Sequence, residues 1–400
     1  MLENDKIRQL LVDYIQENKI AGAYVIVRKN GKVVCDSGYG YADIEKKIPI
    51  KRNSIFRLAS MTKPVIAVCV MMLEEDGALS LDDPIDKYLS GYGDFQVADR
   101  LIGFEDYYEA DPDNPARPKI HGDLLDEVHP VPQIRKITLR DLLTHCSGMG
   151  QGPVSMREFE KLFRQGQSLD ERIEQIPSVM LDFQPGQMTG YSASVAFEVL
   201  GKVIEIVSGK NLQTFVEERI LQPLEISDLG FCLTEEQKKR VVRLYEGNSR
   251  SMKDVTDTEP FWKLIEPFSN HYYSGSAGMV GSVEAYDRFV STLTYENFES
   301  SKRILLEQSV KKMSHSAAYK RMEFNPGTVW GLGMAVVENP EKAGRKVGKG
   351  TYGWSGAYGT HFIIDPSRHI TAVLGVNCSN IGGADSVLSR ELEEIIFDEF

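Results

Sequence analysis

The chain has 400 residues, 42% apolar and 26% charged, a composition typical of a globular protein with one large domain or two closely packed ones. Its formal net charge of −12 argues against nucleic acid or an anionic membrane as a partner. No apolar run reaches membrane-spanning length, and residues 1–6 lack an export signal, so a cytoplasmic protein is expected. The five cysteines include no Cys-x-x-Cys pair, which favours reduced thiols.

The first segments predict an amphipathic helix followed by a β-hairpin. Apolar residues recur at helical spacing from Asp5 to Asn18. Two β-branched runs, Ala21 to Val27 and Lys32 to Tyr41, flank the hairpin signal Lys29-Asn30-Gly31. A helix followed by a hairpin suggests the start of an antiparallel sheet that is covered by helices.

A buried helix with a chemically useful N-terminus is predicted next. The run from Val65 to Leu73 is apolar, and Pro64 is tolerated only in a first turn, so the helix should begin near Ser60. Ser60 and Lys63 then lie on one helix face, one turn apart. The helix dipole favours a developing alkoxide on the serine, and a neutral lysine amine beside it would accept the hydroxyl proton.

The Ser-x-x-Lys spacing alone does not identify a site, because average composition predicts about one chance match in a chain of this length. A second copy runs from Ser309 to Lys312 inside a charged stretch, and it is interpreted as a solvated helix face.

Residues 91–132 differ from their surroundings. Glycine, proline, aspartate and tyrosine dominate there, and the segment is too long for a simple connection, so we expect a lid or a partly ordered insertion.

The remainder of the middle is predicted to be mostly helical, with one polar helix from Ser155 to Glu174, and strands return beyond Asp254. The strand candidates are Val329 to Val337, Ala357 to Ile364 and Ile370 to Asn377, and a final helix covers Asp385 to Phe400. This pattern predicts an α/β (α+β) fold in two domains. The discontinuous α/β domain comprises residues 1–57 and 255–400. The mainly helical domain comprises residues 58–254 and carries the insertion at 91–132.

Several further segments occur in a telling order: Gly40-Tyr41-Ala42-Asp43, Phe56 to Pro64, Ile137 to Gly148, Gln184-Pro185-Gly186, Tyr191-Ser192, Leu200 to Glu205 and Pro223-Leu224. Together they resemble the serine hydrolases related to class C β-lactamases, penicillin-binding proteins and β-lactamase-like carboxylesterases. The resemblance covers nearly the whole chain except Gly91 to Pro132 and about Leu233 to Pro267. It implies a β-lactamase/transpeptidase-like fold, an antiparallel sheet flanked by helices plus an all-helical subdomain, with the site between them.

The resemblance also implies roles for individual residues. Ser60 would be the acylated nucleophile and Lys63 its partner in proton transfer. Tyr191 opens the second motif, and it would act as general base and then protonate the leaving group; a nearby cation such as Lys63 helps a phenol to do this.

The best counterpart of the third motif is Trp354-Ser355-Gly356-Ala357. Trp354, Ser355 and Gly356 would then contact substrate. The Ala357 and Ser60 N–H groups would form the oxyanion hole, and Gly356 would allow close backbone approach. An offset of one to three residues in this alignment is also compatible with the sequence.

Two departures bear on the substrate. The second motif has Ala193 where the family usually has asparagine, and the third has Trp354 where it usually has a cation. Both changes remove polar recognition and suit a neutral, apolar acyl ester. We therefore expect a serine hydrolase that acts on small-molecule esters, or on amides. Our hypothesis is that residues 91–132 form a wall of its acyl pocket, so deleting them should change substrate preference more than folding. The alternatives are a class C-like β-lactamase or D-Ala-D-Ala-type peptidase, and a non-catalytic penicillin-binding-like scaffold.

Other active-site classes fit less well. Gly353 to Ala357 and Gly190 to Ser194 are incomplete Gly-x-Ser-x-Gly elements, and beyond Ser355 only Asp365 and His369 come into question as later partners. The histidines, including His145 and His361, show no metal-ligand spacing, so neither a metal nor another cofactor is expected.

Overall fold

The computed structural model describes residues 2–109, 119–264, 272–295 and 302–400. Its strands, in chain order, are β1 (Gly22–Lys29), β2 (Lys32–Asp43), β3 (Ile48–Pro49), β4 (Ile55–Arg57), β5 (Gln96–Ala98), β6 (Tyr108–Glu109), β7 (Lys119–Ile120), β8 (Pro130–Pro132), β9 (Leu229–Gly230), β10 (Tyr245–Asn248), β11 (Ser251–Asp254), β12 (Val280–Ser282), β13 (Glu323–Asn325), β14 (Thr328–Trp330), β15 (Ala335–Val337), β16 (Thr351–Ser355), β17 (His361–Asp365) and β18 (Ile370–Val376).

The helices connect and cover these strands. In chain order they are α1 (Asp5–Gln16), α2 (Thr62–Glu75), α3 (Phe104–Tyr107), α4 (Asp123–Asp126), α5 (Leu139–Leu143), α6 (Pro153–Leu162), α7 (Leu169–Gln175), α8 (Ala196–Ser208), α9 (Leu212–Val216), α10 (Glu235–Lys238), α11 (Pro260–Leu264), α12 (Val283–Ser291), α13 (Glu307–Met313) and α14 (Val387–Glu399). Among the described residues, no helix combines the length and apolar character needed to cross a bilayer.

The main sheet has the strand order β13-β14-β15-β16-β17-β18-β1-β2-β3, and all neighbouring pairs are antiparallel. The predicted hairpin between β1 and β2 is confirmed. Its turn residues Asn30 and Gly31 have φ angles of 50° and 73°, the left-handed conformation that such turns require. The sheet is therefore built from strands of both ends of the sequence, and the residues between supply most of the helices.

Each face of the sheet carries its own layer of helices. Val25 points into a cluster with α1 and α14, whereas its neighbour Ile26 points into a larger cluster with α2, α8 and α12. This alternation is the two-residue period of a strand that is buried on both sides. The fold class expected from the sequence is confirmed; the division at residues 57 and 254 stays a prediction.

Three segments differ from the sequence prediction because glycines interrupt them. The segment from Val329 to Val337 is two strands, β14 and β15, joined by a turn in which Gly333 has a φ of 75°. Residues 357–360 form a turn with Gly359 at 89°, so β17 begins only at His361. The helix predicted from Ser155 onward is split into α6 and α7 around Gly166, whose φ is 87°.

Candidate active site

Ser60 lies just before the N-terminus of a buried helix. A short 3₁₀ turn, Ala59–Met61, leads directly into α2, and every residue from Thr62 to Leu73 is buried. Ala59 has a φ of 45°, a strained conformation for a residue with a side chain. The surrounding structure holds it there: Tyr286 donates a hydrogen bond of 2.8 Å to the Met61 carbonyl. The predicted placement of the serine at a helix start is therefore what the structure has.

The Lys63 side chain is fully buried beside this serine. Its Nζ donates to the carbonyl oxygens of Ala193 at 2.7 Å and Ser276 at 2.9 Å. The third position on Nζ faces the Ser60 Oγ at 3.3 Å. Because two carbonyls take two N–H groups, a neutral amine would direct its lone pair at the serine hydroxyl, whereas an ammonium would donate to it.

Tyr191 completes the group around this nitrogen. The Lys63 Nζ lies 5.0 Å from the centre of the Tyr191 ring, and the Trp354 indole N–H donates to the Tyr191 hydroxyl at 3.3 Å. Four side chains predicted as site residues thus meet here, although they come from positions far apart in the sequence: Ser60, Lys63, Tyr191 and Trp354.

The loop that carries Tyr191 is fixed by His145, which was not among the predicted site residues. The His145 Nδ1 accepts a hydrogen bond of 3.1 Å from the Ser192 backbone N–H, and its ring centre lies 5.0 Å from that of Tyr191. Burial, together with the positive charge of Lys63, lowers the pKa of His145 well below its ordinary value, so the imidazole is neutral. The sequence signal that could have identified His145 as a site residue was its position inside the motif Ile137 to Gly148.

A second clamp on the same loop is the buried side chain of Gln151. Its amide donates to the carbonyl oxygens of His145 and Gly190, and its oxygen accepts from the Gly148 N–H. Gly190 immediately precedes Tyr191, so the phenol is held by bonds on both sides of it. Fixed placement of a proton-transfer group matters because small displacements reduce the rate strongly.

Aromatic rings line one side of the site. Trp330 stacks on Phe324 with centres 4.2 Å apart and on Tyr191 at 5.9 Å, and it meets Trp354 edge-on at 4.7 Å. Trp330 and Phe324 were not among the predicted site residues, since nothing in the sequence relates them to Tyr191. The wall gives this side of the site an apolar, planar surface.

Gly356 brings the end of β16 against the segment that precedes Ser60. A Cβ at Gly356 would lie far inside van der Waals contact of the Leu58 carbonyl oxygen and of the Thr360 Oγ1. Ala357 follows in an exposed turn. The end of β16 therefore lies against the segment that precedes Ser60; the pairing of the Ala357 and Ser60 amides in an oxyanion hole stays a prediction.

Replacing Gly356 by alanine is expected to push this strand end away from Leu58. Overpacking of this kind costs about 1–3 kcal/mol of unfolding free energy. A displacement of the strand end would reduce kcat/KM for an ester by about 10²-fold. Urea unfolding and steady-state kinetics measure the two effects. The control for the unfolding free energy is Gly122→Ala, because a Cβ at Gly122 meets nothing within 4 Å; equal unfolding free energies of the two variants, or an unchanged kcat/KM of Gly356→Ala, would contradict the prediction.

The Ser355 side chain does not join the other predicted site residues. Successive residues of a strand point to opposite faces, so Trp354 faces the site and Ser355 faces α14. The Ser355 hydroxyl hydrogen-bonds to the His361 Nδ1 at 2.8 Å, and the His361 Nε2 lies 3.0 Å from a carboxylate oxygen of Glu393. Direct contact of the Ser355 side chain with substrate is therefore not supported.

This Ser355–His361–Glu393 chain has the residue types of a hydrolase triad, although the sequence pattern offered only Asp365 and His369 as later partners. The adjoining cavity measures about 30 Å³, which is room for a water molecule or two and not for a substrate. Arg345 also binds Glu393, with one N–H···O distance of 3.0 Å. We interpret the cluster as an anchor of α14 on the back of the sheet.

Glu393→Gln is expected to lower the unfolding free energy by about 3 kcal/mol at pH 7, because it leaves buried Arg345 and His361 without their carboxylate. Burial alone would raise the pKa of Glu393, but the bonds from His361 and the charge of Arg345 lower it below its ordinary value. Its stabilising contribution is therefore complete above about pH 4.5 and is lost as the pH falls through the lowered pKa.

Thermal unfolding between pH 3 and pH 7 tests both parts of this prediction. The matched control is Glu394→Gln, since Glu394 lies on the same helix and is half exposed. A loss of stability no larger for Glu393→Gln than for the control would contradict the anchor.

The described part of the insertion packs beside the loop that contains Gln151. Val97 in β5 bridges to Leu181, and a small apolar cluster joins Ala98, Ile102 and Tyr107 to Val154 of α6. Residues 110–118, which belong to the predicted pocket wall, lie outside the described residues. The pocket-wall hypothesis therefore stays a proposal.

The chain is similar to several known proteins. The model of the Beta-lactamase family matches residues 7–393. Protein Rv1367c of Mycobacterium tuberculosis is 30% identical over 88% of this chain and 84% of its own length. Esterase EstB of Burkholderia gladioli is 27% identical over 92% of this chain and 88% of its own.

A solved structure shows the same fold. It is described as EstCE1, a hydrolase with promiscuous acyltransferase activity, and it superposes with a TM-score of 0.78 over 98% of both chains at 24% identity. Across residues 2–109, 119–264, 272–295 and 302–400, no group of three or more histidine, cysteine, aspartate or glutamate side chains is arranged to hold a metal ion.

Proposed function

Because the chain belongs to the beta-lactamase family, we propose that it is a serine hydrolase that cleaves carboxylic esters through an acyl-enzyme on Ser60. The observation that carries the proposal is the environment of Lys63. Two backbone carbonyls fix its Nζ, and the remaining position faces the Ser60 Oγ at 3.3 Å. A serine held next to an oriented amine is the arrangement of an activated nucleophile.

In acylation, the Ser60 Oγ forms a bond to the ester carbonyl carbon and its proton passes to the Lys63–Tyr191 pair. The Ala357 and Ser60 amides would stabilise the negative oxygen of the tetrahedral intermediate. The bond to the alcohol oxygen then breaks as Tyr191 returns a proton to it. Water repeats the sequence on the acyl-enzyme, which releases the acid and regenerates the serine.

The surroundings of the nucleophile support an uncharged acyl group. Trp354 occupies the position where the related family usually has a cation, and it packs with Trp330 and Tyr191 into an apolar wall. Ala193 contributes only its carbonyl, which Lys63 already occupies. An acyl group that carries no further carboxylate fits such a wall, because burying a free carboxylate there would be unfavourable.

Turnover of p-nitrophenyl esters of increasing acyl length, compared with turnover of a penicillin, tests the proposal. We expect kcat/KM for the best ester to exceed that for the penicillin by at least about 10²-fold, the scale of a lost charged contact. Rapid penicillin turnover would instead favour the β-lactamase alternative, and a stable penicilloyl adduct the peptidase alternative. Failure of esters, penicillin and a fluorophosphonate to react would favour the non-catalytic scaffold.

A second fate of the same acyl-enzyme is transfer to an alcohol. The structural neighbour EstCE1 is described as having promiscuous acyltransferase activity, which makes this fate worth testing here. Adding a primary alcohol to the ester assay and quantifying the new ester against the free acid distinguishes the two fates, because both compete for one intermediate.

A further inference from the structure

Two oppositely charged side chains are buried near each other without a direct ion-pair partner. Lys63 is 0% exposed and Glu198 is 1% exposed. Within the part of the chain that the structure describes, no carboxylate lies within 4 Å of the Lys63 Nζ, and no basic side chain lies within that distance of Glu198. An isolated buried charge is strongly unfavourable, so each group needs compensation from elsewhere.

A short backbone loop joins the two groups. The Ser276 carbonyl accepts a hydrogen bond of 2.9 Å from Lys63, and the Ser276 N–H donates to Glu198 at 3.2 Å. The Ser274 hydroxyl also donates to Glu198, and it accepts from the Ala277 N–H at 3.2 Å. The Glu198 carboxylate therefore fixes the loop whose carbonyl orients the lysine.

We propose that Glu198 is a positioning residue for Lys63: it holds the Ser276 carbonyl against the Lys63 nitrogen and balances its positive charge across this loop. The inference rests on the proposed function of Ser60 and Lys63. Glu198 was not a candidate in the sequence, where it occupies one position of an apolar helix, α8.

Other ionisable groups face the pair, and none replaces Glu198. On the lysine side these are the Tyr191 phenol and His145, whose pKa is lowered by burial so that it is neutral. On the far side of Glu198 lie Tyr272, whose pKa burial raises, and Arg172, which donates to the Tyr272 hydroxyl at 3.0 Å. His145 and Tyr272 are uncharged at neutral pH and Arg172 is positive, so none of these three can offset a positive charge on Lys63, whereas the Glu198 carboxylate can.

The pH dependence of Ser60 reactivity tests the charge-balancing role. Without a negative charge at position 198, a positive charge at Lys63 is less favourable. The pH–rate curve for Ser60 labelling then moves to lower pH. For an effective dielectric constant of about 20 the shift is about one pH unit.

The readout is the rate of Ser60 labelling by a fluorophosphonate from pH 5 to pH 10, which does not depend on ester turnover. Glu198→Gln is expected to shift the midpoint of the curve to lower pH by about one unit, whereas Glu198→Asp keeps the charge and should keep the midpoint. The control is Glu205→Gln on the same helix, where Glu205 is partly exposed and bonds to the Leu212 N–H. A folded Glu198→Gln variant with unshifted midpoints would overturn the proposal.

A stability cycle covers the case in which Glu198→Gln folds poorly. If the two charges balance each other, Lys63→Met combined with Glu198→Gln should unfold at a higher temperature than the sum of the single losses predicts. Additive losses, or a double variant that also fails to fold, would overturn the proposal. Normal fluorophosphonate labelling without any ester turnover would contradict the proposed ester hydrolysis. Both tests of Glu198 could still be interpreted, because neither requires ester turnover.

Discussion

Ser60→Ala is expected to lower kcat/KM for a p-nitrophenyl ester by a factor of about 10⁴ to 10⁶. Alanine lacks the Oγ, which is the atom that would attack the ester carbonyl and which lies 3.3 Å from the Lys63 Nζ. The substitution leaves α2 and its buried residues in place. The variant should therefore fold normally, with an unchanged circular dichroism spectrum, and fail in the chemical step. Stopped-flow measurement of p-nitrophenol release over a range of ester concentrations gives the direct comparison.

The second Ser-x-x-Lys copy supplies the matched control. Ser309 is buried on α13, so the predicted solvated face is wrong for the serine, whereas Lys312 does turn outward to Glu74 at 2.8 Å. The sequence spacing is the same, yet this lysine is engaged elsewhere, so Ser309→Ala should leave kcat/KM unchanged. Retention of activity within tenfold of wild type by Ser60→Ala, measured on protein free of contaminating esterase, would contradict the role of Ser60.

Tyr191→Phe is expected to lower kcat by about 10² to 10⁴ with little change in KM, the range for loss of a general acid–base group. Phenylalanine keeps the ring contacts to His145 and Trp330 and loses only the hydroxyl that Trp354 binds at 3.3 Å. Because Tyr191 would also protonate the leaving alcohol, the loss should be larger for alkyl esters than for p-nitrophenyl esters, whose leaving group needs no proton.

Tyr319→Phe is the control for this substitution, since Tyr319 is an exposed tyrosine whose hydroxyl donates to Asp82. Both variants lose one phenolic oxygen, but only one of them lies at the site. Equal losses for alkyl and p-nitrophenyl esters would contradict leaving-group protonation by Tyr191. A kcat within threefold of wild type would assign proton transfer to Lys63 and leave Tyr191 with a packing role.

Local sequence patterns were enough for the elements that local physics determines. The Asn30-Gly31 turn, the apolar run of α2 and the Ser60–Lys63 spacing each depend on neighbours within a few residues. The family motifs then placed Tyr191 and Trp354 in the same site, where the structure has them.

Features that depend on strand register and long-range packing were not predictable. Which face Ser355 occupies changes with a one-residue shift of β16, and the structure places it toward α14. Trp330 reaches Tyr191, and Phe324 stacks on Trp330, only because the β13–β14 hairpin brings them there. Glu198 lies in an apolar helix, and only the folded loop around Ser276 shows what it contacts.

Mass spectrometry of the quenched reaction with a p-nitrophenyl ester tests the central claim most directly. Acid quenching during the burst, followed by intact mass measurement and peptide mapping, should show one acyl group on Ser60 in the wild-type protein and none in Ser60→Ala. Ester turnover without any adduct on Ser60, or with the acyl group on another residue, would contradict an acyl-enzyme at this serine.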